Sequence, residues 1–194
     1  MSVLDVTTLA CVRSGRLLFE NLSFTVPRGG ALIVTGPNGA GKSSLLRLLA
    51  GLLEPAAGTI HRPDRLAYLG HDSALKPDRT LAGELAFWAA LDGADTATRN
   101  SAASAMALDG LLDLPVRLLS AGQKRRAALA RTLAAGATLW LLDEPTVGLD
   151  AAACERLATA IAGHRERGGA VVAATHVDLG LAHAATLPLG VGHG

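Results

Sequence analysis

The sequence predicts an α/β fold built on a mostly parallel sheet, and three observations carry that prediction. Strand-like apolar runs at TLWLLDEP (138–145) and GAVVAATH (169–176) are separated by a helical stretch from about Ala151 to Arg167. Strands alternating with helices imply parallel pairing, with ligands at the carboxyl ends of the strands. Another apolar run, Ala31 to Thr35, enters the glycine-rich loop GPNGAGKS, whereas residues from about Thr80 to Leu118 are alanine-rich and helical and mark an insert.

In chain order, Leu22 to Val26 alternates as a strand does, and the ProArgGlyGly turn at 27–30 leads into the buried strand Ala31–Thr35. The helix after the glycine loop carries Leu45, Leu46, Leu48 and Leu49. That is too many for a thin stripe, so this helix is expected to be buried on most sides. The insert breaks at Asp92-Gly93, Asp109-Gly110 and Pro115. Within it Leu81, Leu85 and Trp88 share one helix face, while Phe87 turns away with Glu84 and Leu91. The spacing puts Trp88 in the core and Phe87 toward a partner helix, or the reverse.

A chain of 194 residues suits one domain, 1–194, with a helical subdomain at about 80–120. Hydrophobic residues at 49% against charged residues at 18% argue against disorder. A mean hydropathy of +0.32 leaves room for an apolar partner surface, although alanine supplies much of it. The net charge of +1 makes no case for nucleic acid or anionic lipid as the main partner. The N-terminus lacks a basic region followed by an apolar stretch, and no apolar run approaches the roughly 18 residues that span a bilayer. A cytosolic chain is expected. Cys11 and Cys154 lack metal-ligand spacing and read as small hydrophobes.

Gly36, Gly41, Lys42 and Ser43 satisfy GxxxxGK[ST] between a strand and a helix, the context that gives this pattern its meaning. Residues Gly36, Pro37, Asn38, Gly39, Ala40, Gly41, Lys42, Ser43 and Ser44 then form a cradle whose N–H groups meet phosphate oxygens at a helix N-terminus. Lys42 reaches the β- and γ-phosphates of ATP, and Ser43 sets its hydroxyl on Mg²⁺.

The apolar run 139–142 ends in Asp143 and Glu144, and acids at the end of a buried strand need a cation or a proton. Beside a phosphate loop, Asp143 suits Mg²⁺ and Glu144 suits a general base that polarises the attacking water. His176 ends the last apolar run and so reaches the same carboxyl edge of the sheet, within range of a γ-phosphate. Ser120 is a good N-cap for the helix that opens at LSAGQ (119–123) and continues into LysArgArg (124–126), which reads locally as a solvated basic turn.

The order GPNGAGKS, LSAGQ, TLWLLDEP, VGLD and a strand-end histidine resembles the ABC ATPases over nearly the whole chain. The family's usual LSGGQ reads here with Ala121, a departure that a helical backbone tolerates. The resemblance implies a P-loop NTPase of ABC type, with a mostly parallel core, an antiparallel β portion and a helical subdomain. It implies ATP sandwiched in a homodimer, with Ser120, Gly122 and Gln123 completing the partner's site and Asp150, the last residue of VGLD, bridging the subunits. The family's glutamine after the strand before the insert is missing from YLGHD (68–72), where His71 or Asp72 takes its place or neither does. Its adenine-stacking aromatic is also missing. Arg13 either stacks on the base or is solvated.

YLGHDSALKPDRTLAGELAFWAAL, CVRSGRLLFENLSF and LSAGQKRRAALAR look like the CcmA family, the ATP-binding subunit of cytochrome c maturation systems. That resemblance implies small integral membrane permease subunits as partners and a peripheral location on the cytoplasmic face of the bacterial inner membrane. ATP hydrolysis would be linked to haem handling, with no haem site on this chain, its histidines, among them His183 and His193, lying on the surface. The rival readings are the ATPase of another exporter, a soluble ABC protein acting on ribosomes or DNA, and an unrelated P-loop kinase. LSAGQ speaks against the kinase.

Overall fold

A hairpin opens the chain: β1 (Ser2–Arg13) and β2 (Arg16–Pro27) pair antiparallel with Arg13 opposite Arg16. Only Ser14 and Gly15 make the turn, at φ 49° and 75°, the positive values that match the twist of the flanking strands. The structure is a computed structural model and describes residues 2–190. The alternation at Leu22–Val26 is the later part of β2, which already begins at Arg16. Register shifts along the β1–β2 pair break the two-residue period that would have disclosed the whole hairpin. β4 (Ala57–His61) pairs with the other edge of β1 and completes an antiparallel sheet in the order β2-β1-β4.

The second sheet is parallel throughout. It joins β5 (Leu66–Leu69), β6 (Leu139–Asp143), β7 (Ala170–Ala174), β3 (Ala31–Thr35) and β8 (Ala185–Pro188), in that order. β6 and β7 are central and buried at every residue, which explains their unbroken apolar sequences. Successive side chains still divide between two cores. Leu139, Leu141 and Val172 face α1 (Lys42–Ala50) and the antiparallel sheet. Trp140, Leu142 and Val171 face α4 (Ala121–Ala134) and α5 (Ala151–Glu166).

Between β5 and α4 run α2 (Leu81–Asp92), α3 (Thr96–Ala105) and 3₁₀ turns at Asp109–Leu111 and Val116–Leu118. α2 and α3 pack on α4. Thr80 caps α2 by accepting from the Gly83 N–H, and Gly93, in the left-handed region, ends it. Trp88 turns inward under the Arg131 guanidinium, 3.5 Å above its ring, while Phe87 and Leu91 are exposed. Glu84 departs from the face expected of it. It lies three residues after Leu81 and four before Trp88, so it shares their inward side, and it is buried against Arg79 at 3.4 Å.

Candidate active site at the carboxyl edge of the parallel sheet

Because the five strands run parallel, the residues that follow β5, β6, β7 and β3 emerge along one edge. After β3 the chain curls through Gly36–Gly41 into α1, with Gly36, Gly39 and Gly41 at φ 139°, 81° and 101°. Gly36 has a second reason to be glycine: a Cβ there would stand 2.3 Å from the Leu189 carbonyl oxygen. The first residue of α1, Lys42, is buried and folds back over the loop, its Nζ donating to the carbonyls of Gly36 at 2.7 Å and Pro37 at 3.1 Å.

Lys42 Nζ also lies 3.0 Å from His176 Nε2. An ammonium only donates, so Nε2 accepts in this contact. Glu144 Oε1 lies 3.5 Å from the same nitrogen, too far for a bond from an atom already accepting. His176 therefore stands between the lysine and the carboxylate and can engage one of them at a time through Nε2. Ser43 Oγ donates to Asp143 Oδ1 at 3.1 Å, and Asp143, at the end of β6, is buried.

Glu144 occupies the left-handed region at φ 44°, an uncommon conformation for a residue with a side chain. Its N–H donates to the Ala174 carbonyl at 2.8 Å, and its own carbonyl accepts from Arg125 at 2.7 Å. The sequence alone read Arg125 as part of a solvated turn. It is buried, on the inward face of α4 with Ala128, Leu129 and Thr132. That spacing of three, four and seven residues was the available signal. Burial lowers the Arg125 pKa from its ordinary value, with the carboxylates of Asp143 and then Glu144 opposing the shift.

The LSAGQ segment forms a separate construction. Ser120 and Gln123 close a capping box, the Ser120 N–H donating to Gln123 Oε1 at 2.8 Å and the Gln123 N–H to Ser120 Oγ at 3.2 Å. Ala121 is the first residue of α4 and is exposed. Gly122 packs on the VGLD loop so closely that a Cβ would stand 2.6 Å from the Gly148 carbonyl oxygen. Asp150 caps α5 by accepting from the Ala153 N–H at 2.8 Å. Ser120, Gly122, Gln123 and Asp150 line one hollow of about 280 Å³. Among the described residues, no hydrogen bond joins them to Lys42, Ser43 or Asp143.

The remaining expected residues lie at the surface. Arg13 is exposed at the hairpin end, and His71 and Asp72 are exposed after β5, where the His71 carbonyl lies 3.5 Å from Arg125 Nη1. His183 is exposed, and His193 is outside the described residues. His164, which sequence reading grouped with surface histidines, is buried in α5 and stacked on Trp140 at 3.9 Å and 6°. It packs inward because Gly169 leaves room: a Cβ there would fall 2.2 Å from the imidazole. Cys11 is buried and free, and burial pushes its thiol pKa up. No described helix is long and apolar enough to cross a membrane.

Known proteins share this fold. A solved ATP-binding subunit of an ABC transporter superposes with TM-score 0.87 at 24% identity, covering 97% of this chain and 86% of its own. An ABC transporter ATP-binding protein from Pyrococcus furiosus gives TM-score 0.83 at 23% identity, covering 96% of each chain. The cytochrome c biogenesis ATP-binding export protein CcmA of Sphingopyxis alaskensis is 50% identical over 97% of both chains. The protein of the same name from Gluconobacter oxydans is 52% identical over 92% of this chain and 83% of its own. The sequence profile described as ABC transporter matches residues 19–147, and with these relatives, this fold and this loop, the chain belongs to the ABC transporter ATP-binding family, among its CcmA members.

Proposed function

We propose that the chain is the ATP-hydrolysing subunit of an ABC complex that drives haem handling or export for cytochrome c maturation. One observation carries the catalytic part: Lys42, Ser43, Asp143, Glu144 and His176 converge from three strand ends, Lys42 over the phosphate loop and Ser43 bonded to Asp143. The loop N–H groups and Lys42 bind and orient the phosphates, as an anion site at a helix N-terminus does. Glu144, held at the mouth of the site by its backbone bonds, accepts a proton from the attacking water as the bond between the γ-phosphorus and its bridging oxygen breaks. His176 reaches the γ-phosphate from beside both.

A hydroxyl and a carboxylate oxygen 3.1 Å apart are the hard oxygen donors that Mg²⁺ favours, so Ser43 and Asp143 would hold it. When bound, Mg²⁺ supplies charge neutralisation at the phosphates. The separation of the LSAGQ hollow from the phosphate loop supports a composite site, with Ser120, Gly122 and Gln123 completing the partner copy's nucleotide site in a homodimer and Asp150 near the seam. The cytochrome c assignment rests on the names of relatives at about half identity over nearly the full chain. With it come small membrane permease subunits and a peripheral place on the cytoplasmic face of the inner membrane.

Glu144→Gln tests the base. It should keep ATP binding and accumulate an ATP-bound dimer by light scattering, with hydrolysis reduced on the order of a hundredfold or more, a general base supplying roughly that much. Hydrolysis at the parent rate would exclude Glu144. Deleting the gene should leave apocytochrome c without haem, and normal holocytochrome would refute the haem assignment.

A further inference from the structure

We propose that Arg125 is a positioning residue that ties the loop after β5 to the catalytic end of β6, so that the two move together. The inference deepens the ATPase reading and rests on it.

Among the described residues, every Arg125 hydrogen bond is to backbone. Nη1 donates to the Gly70 carbonyl at 2.7 Å and approaches that of His71 at 3.5 Å. Nη2 donates to the carbonyls of Asp143 at 2.5 Å and Glu144 at 2.7 Å, and Nε reaches that of Pro145 at 3.4 Å. A planar fork carries its five N–H groups on three nitrogens, so it can hold carbonyls of two chain segments on opposite sides, a span that the single nitrogen of an ammonium does not cover. The acceptors on one side belong to the acids of the site and the proline after them. Those on the other belong to an exposed loop that borders a hollow of about 300 Å³ with Arg47, Leu52 and Arg131.

No side-chain hydrogen bond among the described residues connects His71 or Asp72 to Lys42, Ser43 or Asp143. Of the bonds described, those through the guanidinium join this loop to the acids. The strained backbone of Glu144 gives the tie its consequence. With its N–H on Ala174 and its carbonyl on Arg125, the residue is pinned from β7 and from α4. Freed on one side, it can relax toward an ordinary φ, and the carboxylate turns away from the water it must polarise. Arg125 sits at the fifth position of α4, the helix that Ser120 caps. A displacement of the LSAGQ segment therefore reaches both the acids and the loop through one rigid element.

The test is Arg125→Lys in the full chain, purified in its membrane complex through an affinity tag, with Arg125→Gln as a second variant. The expected result is a fall in kcat of at least about tenfold with the KM for ATP within about threefold of the parent, because the phosphate loop is untouched. Hydrogen exchange supplies the coupling readout. In the parent, ATP should slow exchange both at 36–44 and at 70–73, and in the variants only at 36–44. Parent-like kcat with parent-like protection at 70–73 overturns the proposal. So does loss of kcat and ATP binding together, or failure of both variants to fold, since each assigns Arg125 to stability alone. A parent complex that hydrolyses no ATP would instead overturn the ATPase reading.

Discussion

Gly122 is held to glycine by a tertiary contact and not by its own helix. Gly122 has an ordinary helical position, so propensity alone would welcome alanine there. The Gly148 carbonyl forbids it, because a Cβ would come within 2.6 Å of that oxygen. Gly122→Ala should therefore push the VGLD loop outward and cost about 1–3 kcal/mol, as overpacking does. Urea titration measures that loss, and dimer-dependent hydrolysis should fall on the order of tenfold while ATP binding by the separated chain persists. Ala121, one residue earlier, is exposed and tolerates its side chain. Both positions were legible in LSAGQ as a helix start. Only the approach of a loop 26 residues away along the sequence distinguishes them.

At the scale of elements, α5 and the strands beneath it carry a pH dependence absent from the motif reading. His164 is held below the ordinary imidazole pKa, first by burial, with the Ala170 carbonyl opposing and Arg167 adding to the shift. The folded protein thus favours neutral His164, and the unfolded chain binds the proton more readily. Stability from this group is full above the unfolded value of about 6.5 and falls as the pH drops below it. Denaturant midpoints at pH 8 and pH 5.5 should separate more in the parent than in His164→Phe, which keeps an aromatic ring over Trp140. Equal separation would remove His164 as a source. Of the helix caps, Ser120 was legible in sequence, and Thr80, Asp95 and Asp150 likewise each accept a backbone N–H, whereas α1, which carries Lys42 and Ser43, begins at Gly41 with no side-chain cap. The β1–β2 hairpin was visible only in part, because its bulges interrupt the alternation by which a strand is recognised.

At the scale of the whole molecule, no hydrogen bond among the described residues joins the phosphate loop to the LSAGQ hollow, and a mixing experiment tests whether two copies bring them together. Lys42→Ala removes the loop's lysine. Ser120→Asp retains a good N-cap, so α4 should persist, but sets a carboxylate where the partner's phosphates would come. Each variant alone should be nearly inactive. Their mixture should regain hydrolysis, because a mixed dimer carries one site with Lys42 and Ser120 both intact. A mixture as inactive as its components would argue against the composite dimer. What the sequence by itself determined is the pieces: the glycine-rich loop, the acids after LWLL and the capped LSAGQ helix are each written in contiguous residues whose spacing follows from local geometry, and the alternation of strands with helices implies the parallel sheet. The tertiary structure alone decided which of those groups meet. Lys42 reaches His176 across 134 residues, Ser43 reaches Asp143 across 100, and Arg125 joins Gly70 to Glu144. Such pairings depend on strand order and on room left by glycines, which local spacing does not encode.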